Sequence, residues 1–332
     1  MAGINCARLL HEAGFSVTLF DKGRFPTGRL ASRTRDEDQF DYGAQYFTVE
    51  SNSFRSFIEP LIKSGSIAEW KGKFGTINNT IDKKAVKRKV SPRLRFVGVP
   101  SMNSLYQCFE QDEISLFTRH RVERIERNQD QSWSLVGRDL TGESGKSFRE
   151  TGFEFIILNM PPLQAQMLFP DYDLSGFKME PCFALLVGFD ERLNVNLDGI
   201  FFEDELLSWA ARDSSKPGRP AGERWVIHSS SKWSSTHLEE DLDTIADQLL
   251  ARFAMFVDEN SSLPEIKFRK CHRWRYARPY AESDQGSIFL AEEGLGFCGD
   301  WCLAPRVEGA FLSGESLAKR VIAEAGVDCE RS

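Results

Sequence analysis

The order of elements in the first 21 residues constrains the fold of this chain most strongly. Gly3 begins an amphipathic pattern over residues 4–12 that predicts a helix, and Gly14 stands where a helix commonly ends. The β-branched and aromatic run at residues 15–20 predicts a strand, and Asp21 follows it directly. A helix that begins at a glycine, followed by a strand that ends in an acid, is typical of the second half of a dinucleotide-binding βαβ unit.

A complete dinucleotide fingerprint reads G-x-G-x-x-G after a strand, with an acid about 20 residues further on. Gly3 fits the third glycine, and Asp21 lies 18 residues after it (21 − 3 = 18). In such a unit the helix N-terminus faces the pyrophosphate. We expect the first strand and the first two glycines to lie upstream of Met1, so that the chain as given would bind a dinucleotide poorly.

Composition and charge restrict the class of protein further. The 332 residues suffice for two domains, and the formal net charge of −7 argues against nucleic acid or an anionic membrane as the main partner. No apolar run approaches the roughly 18–20 residues of a membrane span. The seven cysteines form no C-x-x-C pair, which indicates reduced thiols, a cytoplasmic location and no zinc site. A targeting segment could still lie upstream of Met1, and the basic run at residues 83–89 predicts a solvated edge.

Sequence patterns predict helices at residues 4–12, 53–65, 101–111, 238–256 and 310–325. Helical and strand patterns alternate at both ends of the chain, whereas the middle is rich in strands. This order predicts an α/β fold with a discontinuous nucleotide domain, comprising residues 1–50, 112–165 and 286–332. Residues 51–111 and 166–285 are predicted to form a mixed α+β substrate domain. The stretch at residues 22–48, rich in glycine and charge, predicts an ordered loop.

Four further stretches point to a flavin protein. They are Pro26-Thr-Gly-Arg-Leu30, Asp41-Tyr-Gly-Ala-Gln-Tyr-Phe47, Ile156-Ile-Leu-Asn-Met-Pro-Pro162, and Phe297-Cys-Gly-Asp-Trp301 followed by Arg306-Val-Glu-Gly-Ala-Phe-Leu-Ser-Gly314. In the last stretch a buried strand ends in Gly-Asp and a helix rich in small residues follows. An aspartate there can bind a ribityl hydroxyl, and the helix N-terminus can stabilise the electron-rich end of a reduced flavin.

Over essentially its whole length the chain resembles the renalase family, which are FAD-dependent oxidoreductases related to the flavin amine oxidases. The motifs GAQYF, VGVPSM, HRWRYARP and GDWC…RVEGAFLSG, in this order, carry the resemblance, and the bacterial-type members are the most similar. The resemblance implies a para-hydroxybenzoate-hydroxylase-like fold. It consists of a Rossmann-like FAD-binding domain, here without its first strand, and a mixed α+β substrate domain.

The resemblance also implies which residues bind FAD. It places Asp21 at the adenosine ribose and Arg29 along the phosphates, although Thr27 stands where a glycine is usual. It places Gln45 and Tyr46 near the flavin ring. The full set of expected cofactor residues is Ala2, Gly3, Asp21, Lys22, Arg29, Gln45, Tyr46, Val122, Gly299, Asp300, Val307, Glu308 and Ala310.

The candidate catalytic residues come mainly from one predicted strand. His272, Trp274 and Tyr276 alternate along it, so their side chains would share one face of the sheet. The resemblance implies that this face lies beside the flavin, with His272 as a substrate contact or proton acceptor; a hydrogen-bonded structural histidine is the alternative. Trp301 is expected either to form a pocket wall or to pack in the core.

The resemblance implies a reaction as well. Reduced dihydronicotinamide substrates, isomers of NAD(P)H, would be oxidised to NAD(P)+ while O2 is reduced to hydrogen peroxide. Arg212 and His228 are weaker candidates for the substrate site and are expected to be structural. The expected protein is a monomer or dimer without a metal. Two alternatives remain open: a flavin amine oxidase or desaturase, and a truncated relic without catalytic activity.

Overall fold

The computed structural model of the chain describes most of its residues. They are residues 1–35, 38–78, 86–87, 93–109, 114–142, 145–257 and 262–326.

Six α-helices occur among these residues. They are α1 (Ala2–Glu12), α2 (Asn52–Lys63), α3 (Pro162–Leu168), α4 (Ser231–Thr236), α5 (Leu242–Val257) and α6 (Val307–Glu324). Five short 3-10 helices accompany them, at Gly28–Leu30, Met102–Phe109, Asp213–Ser215, Ala291–Glu293 and Asp300–Cys302.

The same residues form 19 strands. They are β1 (Thr18–Asp21), β2 (Ser32–Arg35), β3 (Asp38–Asp41), β4 (Ile67–Glu69), β5 (Phe74–Asn78), β6 (Val86–Lys87), β7 (Phe96–Gly98), β8 (Ser115–Thr118), β9 (His120–Arg127), β10 (Trp133–Asp139), β11 (Lys146–Phe153), β12 (Ile156–Leu158), β13 (Met179–Phe189), β14 (Gly199–Glu203), β15 (Leu207–Arg212), β16 (Glu223–Ser229), β17 (Ile266–Pro279), β18 (Ile288–Leu290) and β19 (Leu295–Phe297).

The chain divides into two compact units, each built from separate segments. The first unit contains Met1–Gly28, Tyr106–Met179 and Arg278–Ser332, and the second contains Arg29–Leu105 and Glu180–Ala277. These bounds differ from those of the predicted domains: residues 29–50, expected in the nucleotide domain, belong to the second unit. The assignment of FAD binding to one domain and of substrate binding to the other stays a prediction.

The first unit has short parallel strands covered by helices. β1 pairs in parallel with β8, from Thr18 opposite Ser115 to Asp21 opposite Thr118. β12 pairs in parallel with β19, and β18 completes that small sheet in antiparallel orientation. Among the described strands, neither β1 nor β12 has a second neighbour in its sheet. The prediction that upstream residues supply a further strand is not tested by this arrangement.

Helices α1 and α6 share one apolar core of the first unit. Cys6 and Leu10 of α1 are buried there with Leu317 and Val321 of α6. Burial of apolar side chains from both ends of the chain stabilises this packing by about 25 cal/mol per Å² removed from water. A second core of the unit surrounds Trp301 and includes residues of β10, β12 and β19.

The second unit is organised around a seven-stranded sheet in the order β17-β13-β16-β15-β14-β5-β6. Only the pair of β14 and β5 is described as parallel; the other described pairs are antiparallel. Helix α5 packs on the sheet through Leu249 and Phe253, which lie in one core with Trp225 and Ile227. Phe40, from the hairpin of β2 and β3, packs into a separate core with Phe268, among others.

Most of the predicted elements are confirmed. The helices predicted at residues 4–12, 53–65, 238–256 and 310–325 correspond to α1, α2, α5 and α6. Helix α2 is capped as its sequence favours, because Ser51 Oγ accepts the Phe54 N–H at 3.3 Å. The helix predicted at residues 101–111 is instead a 3-10 helix, Met102–Phe109.

The loop predicted at residues 22–48 is wrong in part, because β2 and β3 form a hairpin there. Its strands are rich in charged residues, so their pattern does not resemble an ordinary half-buried strand. A side-chain hydrogen bond stabilises the hairpin, because Ser32 Oγ donates to Asp41 Oδ1 at 2.6 Å across the register pair of these two residues. Strands β14 and β15 were not predicted at all.

Three other expectations concern the chain as a whole. The five cysteines whose side chains are described, Cys6, Cys182, Cys271, Cys298 and Cys302, are free thiols. Within the described part of the chain, no helix combines the length and apolar character needed to traverse a lipid bilayer. The basic run at residues 83–89 lies outside the described residues, apart from the two residues of β6.

Candidate functional site

Helix α1 begins in a way that leaves its first amides open to a ligand. Its N-cap residue, Met1, provides no side-chain acceptor for them. A Cβ atom at Gly3 would lie 2.0 Å from Asn159 Nδ2, so the glycine makes room for the side chain that follows β12. Unsatisfied N–H groups and the positive end of the helix dipole together favour an anion at such a terminus.

Helix α6 begins in a similar way. Its N-cap residue, Arg306, also provides no side-chain cap. Asp300 and Glu308 are both buried near this end, with exposed fractions of 6% and 3%. The preceding turn is fixed to the helix, because the Gly299 N–H donates to Ser313 Oγ at 2.9 Å. Val307 and Ala310, both half-buried, complete the first turn.

Helix α6 has close backbone contacts at two glycines, one with α1 and one with the segment that precedes α6. A Cβ atom at Gly314 would lie 2.2 Å from the carbonyl oxygen of Ala2, and one at Gly309 would lie 2.2 Å from the carbonyl oxygen of Ala304. The helices are also joined by Asn5, whose Nδ2 donates to the Phe311 carbonyl at 2.9 Å. The sequence analysis did not assign Gly309 or Gly314; the small residues spaced along E-G-A-F-L-S-G were the available signal.

Asp21 ends β1 inside the first unit. Its Oδ1 accepts the Gly23 N–H at 2.6 Å, and burial raises the pKa of its carboxyl group. The loop that follows is joined to the turn after β8, because the Arg119 N–H donates to the Gly23 carbonyl at 2.8 Å. Val122 lies just beyond that turn in β9, and Lys22 is exposed. One short region therefore brings together Asp21, the predicted ribose acid, and Val122, another of the expected cofactor residues.

Trp301 packs in the core of the first unit. It is 2% exposed, its Nε1–H donates to the Met160 carbonyl at 3.2 Å, and its ring meets Phe177 edge-on at 4.9 Å. It also borders an open groove of about 600 Å³ with residues 176–178 and 279–284. The structure thus gives this side chain fixed packing partners as well as a place in the wall of a groove.

Three of the expected cofactor residues, Arg29, Gln45 and Tyr46, lie in the second unit. Arg29 Nη1 donates to the Ala277 carbonyl at 3.1 Å. Gln45 is 7% exposed; its amide donates to the carbonyls of Asp41 and Gly43, and its Oε1 accepts from a buried lysine. The amide of Gln45 therefore has partners on both its oxygen and its nitrogen. The ring of Tyr46 lies 5.7 Å from that of Trp209.

The lysine beside Gln45 is the centre of a buried charge cluster, which we define as Asp41, Asp213, Lys216 and Arg219. Lys216 Nζ lies 3.2 Å from Asp41 Oδ2 and 2.5 Å from Asp213 Oδ1, and Arg219 Nη2 lies 2.5 Å from Asp41 Oδ2. The side chains are between 0% and 1% exposed. Two carboxylates and two cations balance one another, as buried charges require.

Two of the three predicted catalytic side chains of β17 come together with Tyr42. The rings of Tyr42 and His272 are 4.9 Å apart, those of His272 and Trp274 are 4.4 Å apart, and Trp274 Nε1–H donates to the Tyr42 carbonyl at 2.9 Å. We call Tyr42, His272 and Trp274 the aromatic triad. His228 is hydrogen-bonded to the backbone of Tyr42, and its Nε2 is buried without a partner among the described residues.

The remaining two candidates of the second unit stand apart from this triad. Tyr276 is half-buried on β17 and makes none of the ring contacts described for the triad. Arg212 is 4% exposed and binds two carboxylates, Asp198 at 3.1 Å and Glu223 at 3.2 Å. It also donates to the Val195 carbonyl at 2.9 Å. These partners give Arg212 a structural position within the sheet.

His272 of the triad and the neighbouring His228 are both neutral at physiological pH. Burial, and then the cations Lys270 and Arg33, lower the pKa of His272 from 6.5 to about 4. Burial, and then Lys216, lower the pKa of His228 from 6.5 to about 4. Burial raises the pKa of Tyr42, so its hydroxyl stays protonated. A neutral imidazole can accept a proton or a hydrogen bond from a substrate, which an imidazolium cannot do.

Lowering the pH from 7.5 to 5.0 is expected to reduce the free energy of unfolding through His228. Its folded pKa of about 4 lies below its unfolded value, so the unfolded chain takes up the proton first. This contribution is complete above about pH 6.5 and is lost as the pH falls toward 4. Urea denaturation at several pH values measures the effect.

The comparison that isolates His228 is the variant His228→Gln. Burial and Asp41 raise the pKa of Asp213 to about 6 in the folded protein. Protonation of Asp213 therefore increases the free energy of unfolding as the pH falls over the same range, and it does so in both proteins. The variant should therefore lose less stability between pH 7.5 and 5.0 than the parent protein. Equal losses in the two proteins would contradict the assignment.

Comparisons with known proteins identify the fold. Residues 1–61 match the family model of an NAD(P)-binding Rossmann-like domain. The whole chain is similar to the crystal structure of a protein described as a protoporphyrinogen oxidase from Exiguobacterium sp. 255-15, with a TM-score of 0.73, 11% sequence identity and coverage of 97% of each chain.

Two amine oxidases have the same fold. Cyclohexylamine oxidase from Brevibacterium oxydans IH-35A matches with a TM-score of 0.70, 11% identity and coverage of 98% of this chain and 97% of that chain. A putrescine oxidase bound to putrescine matches with a TM-score of 0.65, 12% identity and coverage of 97% of each chain. The predicted fold class, a Rossmann-like α/β domain combined with a mixed α+β domain, is confirmed.

Proposed function

We propose that this chain is an FAD-dependent oxidase that oxidises dihydronicotinamide substrates, isomers of NAD(P)H, with O2 as the electron acceptor. The observation that carries the proposal lies in the first unit. There the N-termini of α1 and α6 both lack a side-chain cap, and the first turn of α1 contacts Gly314 of α6. Asp21 ends the strand that follows α1.

The residues of the first unit fit FAD. The amides of α1 at Ala2 and Gly3 would hold the pyrophosphate, since they have no side-chain acceptor of their own. Asp21 would accept the ribose hydroxyls. Asp300 and the first turn of α6 would hold the part of the cofactor that follows the phosphates. Any larger residue in place of Gly314 would push α1 away from α6 and disturb this cradle.

When bound, FAD supplies the hydride acceptor and the site at which O2 is reduced to hydrogen peroxide. The protein contributes binding, orientation and the exclusion of water. We assign the aromatic triad of Tyr42, His272 and Trp274 to contact with the substrate. The neutral His272 would accept a hydrogen bond or a proton from the substrate. Tyr42 and Trp274, whose rings are stacked on each other 5.4 Å apart, would form an aromatic wall against the substrate.

The charges near the triad favour this substrate over an amine. Among the described residues, the charged groups that shift the pKa of His272 are the cations Lys270 and Arg33. A cationic amine would be repelled by these groups, whereas a nucleotide with phosphates would be attracted. An amine oxidase activity remains the second candidate, because cyclohexylamine oxidase and putrescine oxidase share the fold.

The experiment that tests the proposal is the absorbance spectrum of the purified full chain, followed by anaerobic mixing with substrates. A flavin spectrum that is bleached by 2- or 6-dihydro-NAD, and that returns with hydrogen peroxide when O2 is admitted, is the expected result. Bleaching by amines alone would support the second candidate. A colourless, folded protein that takes up no added FAD would contradict both oxidase candidates. It would support the remaining alternative, a truncated relic without catalytic activity.

The variant His272→Asn tests the role of the triad. We expect kcat/KM for the dihydronicotinamide substrate to fall about 100-fold, because a positioned acid or base typically contributes 10²–10⁴-fold. The flavin spectrum should not change. His237→Asn is the matched control, since His237 stacks on Trp233 and is not part of the triad. An unchanged kcat/KM for His272→Asn would show that His272 has no role at the substrate.

A further inference from the structure

Arg95 is a buried cation without an anionic partner among the described residues. The residue is 9% exposed, and no hydrogen bond or ion pair of its guanidinium occurs among the described residues. Its Nε is enclosed by protein and has no acceptor. Buried arginines are ordinarily paired with a carboxylate, as Arg212 and Arg219 are in the same unit. Arg95 therefore lacks the acceptor that its position requires.

Aromatic rings surround this guanidinium. Its central carbon lies 4.0 Å from the ring centroid of Phe74 and 5.2 Å from that of Tyr46. Trp70 and Trp209 contact both of those rings, and we call the four side chains Tyr46, Trp70, Phe74 and Trp209 the aromatic box. Contact with ring faces stabilises the positive charge but leaves the in-plane N–H groups without acceptors.

A second donor of the box lacks an acceptor as well. The Trp209 Nε1–H is buried and has no partner among the described residues, whereas the Trp70 Nε1–H donates to Ser215 Oγ at 3.0 Å. An unsatisfied buried donor costs about 1–3 kcal/mol. Two such donors on one cluster of rings indicate a group that accepts hydrogen bonds from them.

The carboxylates of the buried charge cluster do not supply that acceptor. Asp41 and Asp213 are committed to Lys216 and Arg219 within the buried charge cluster. Lys216 itself lies 5.5 Å from the ring centroid of Trp70, so it adds positive charge beside the box. No described carboxylate is paired with Arg95, so these surroundings favour an anion.

We propose that Arg95, with the aromatic box, binds the anionic group of the substrate, a phosphate or carboxylate carried by a planar conjugated molecule. A guanidinium presents paired N–H groups that match the two oxygens of such an anion. The rings of Phe74 and Tyr46 hold the guanidinium in place for this contact. The inference rests on the proposed function to the extent that it assigns substrate binding to the second unit, but its test requires no flavin chemistry.

The test is calorimetric titration of the full chain with four probes, taken as two pairs. Nicotinamide mononucleotide carries a phosphate that nicotinamide riboside lacks, and nicotinate carries a ring carboxylate that nicotinamide lacks. We expect the mononucleotide to bind at least about tenfold more tightly than the riboside, as a charged hydrogen-bonded pair provides. A preference for nicotinate over nicotinamide would identify a ring carboxylate as the anion instead.

The variant Arg95→Met removes the charge while keeping an apolar side chain against the rings. It should abolish the preference for the probe with the phosphate or carboxylate and leave the binding of the counterpart without that group unchanged, whereas Arg95→Lys should retain part of the preference. Arg269→Met is the matched control, because Arg269 is paired with Asp247 on the surface of the same unit. An undiminished preference in Arg95→Met would overturn the proposal.

A third measurement remains decisive if Arg95→Met does not fold. Inorganic phosphate should compete with nicotinamide mononucleotide in the parent protein, and the absence of competition would also overturn a phosphate site. The outcomes separate the two proposals. Tighter binding of the anionic probes to a protein without flavin would support the anion site and contradict the proposed oxidase. Rapid oxidation of the substrate, with equal affinity for probes that have and lack the phosphate or carboxylate, would support the oxidase and contradict the anion site.

Discussion

Replacing Lys216 by methionine is expected to lower the free energy of unfolding by roughly 3–5 kcal/mol, the range found when one partner of a buried ion pair is removed. Lys216 is 0% exposed and binds Asp41, Asp213 and the Gln45 amide oxygen. Without it, two buried carboxylates share the single cation Arg219. One of them must then take up a proton, at a cost that grows as the pH rises.

Urea denaturation at pH 7.5 measures this loss. The control Lys319→Met removes a lysine whose side chain is 71% exposed and pairs with Glu315 on the surface of α6, so its effect should be under about 1 kcal/mol. The double variant Lys216→Met/Asp213→Asn should recover part of the stability, since it removes one of the unpaired charges. A single variant as stable as the parent would show that the cluster is not coupled to folding.

Replacing Gly314 by alanine is expected to cost about 3 kcal/mol, the upper part of the range for overpacking a close contact. The new Cβ would lie 2.2 Å from the carbonyl oxygen and 3.2 Å from the Cα of Ala2, and backbone atoms cannot rotate away as a side chain can. Helices α1 and α6 must separate. Because this contact holds the proposed phosphate-binding turn against α6, retention of FAD should fall along with stability.

Flavin content after gel filtration and the midpoint of thermal unfolding measure the two effects of Gly314→Ala. Gly176→Ala is the control, because a Cβ atom there would have no neighbour within 4 Å and the backbone is not in the left-handed region. That variant should match the parent in both measurements. A Gly314→Ala protein with full stability and full flavin content would refute the close contact.

The ends of the chain were the most predictable from sequence. Residues 4–12 and 310–325 show the 3.6-residue period of a helix with one buried face, and α1 and α6 both follow that pattern. The alternation of His272 and Trp274 correctly placed the two on one face of β17, where their rings meet at 4.4 Å. These features depend on neighbours within a few residues, which is what a sequence pattern records.

The buried charge cluster and the contact at Gly314 could not be predicted in this way. Lys216 and Asp41 are 175 residues apart, and Asn5 donates to a carbonyl 306 residues away. A charged residue in sequence normally indicates an exposed position, so Asp41, Asp213 and Lys216 gave the wrong signal. Only the fold brings their charges together, and only burial makes the partners necessary.

The hairpin of β2 and β3 shows the same limit at short range. Its two strands are rich in arginine and aspartate, residues that favour loops, yet the pair forms because Phe40 is buried in the core of the second unit. Tertiary packing decided this element against its local preference. The roles of the individual cofactor and substrate residues stay predictions until ligands are bound.

The pairing of α1 with α6 also determines when this protein can mature during synthesis. Helix α1 is synthesised well before its packing partner α6, which begins only at Val307. At about 5–20 residues per second, the interval between the two helices is roughly 15–60 s. Throughout that time the apolar face of α1 lacks the native surface that covers it in the folded protein, so the nascent polypeptide is a natural client for a chaperone until α6 has been synthesised.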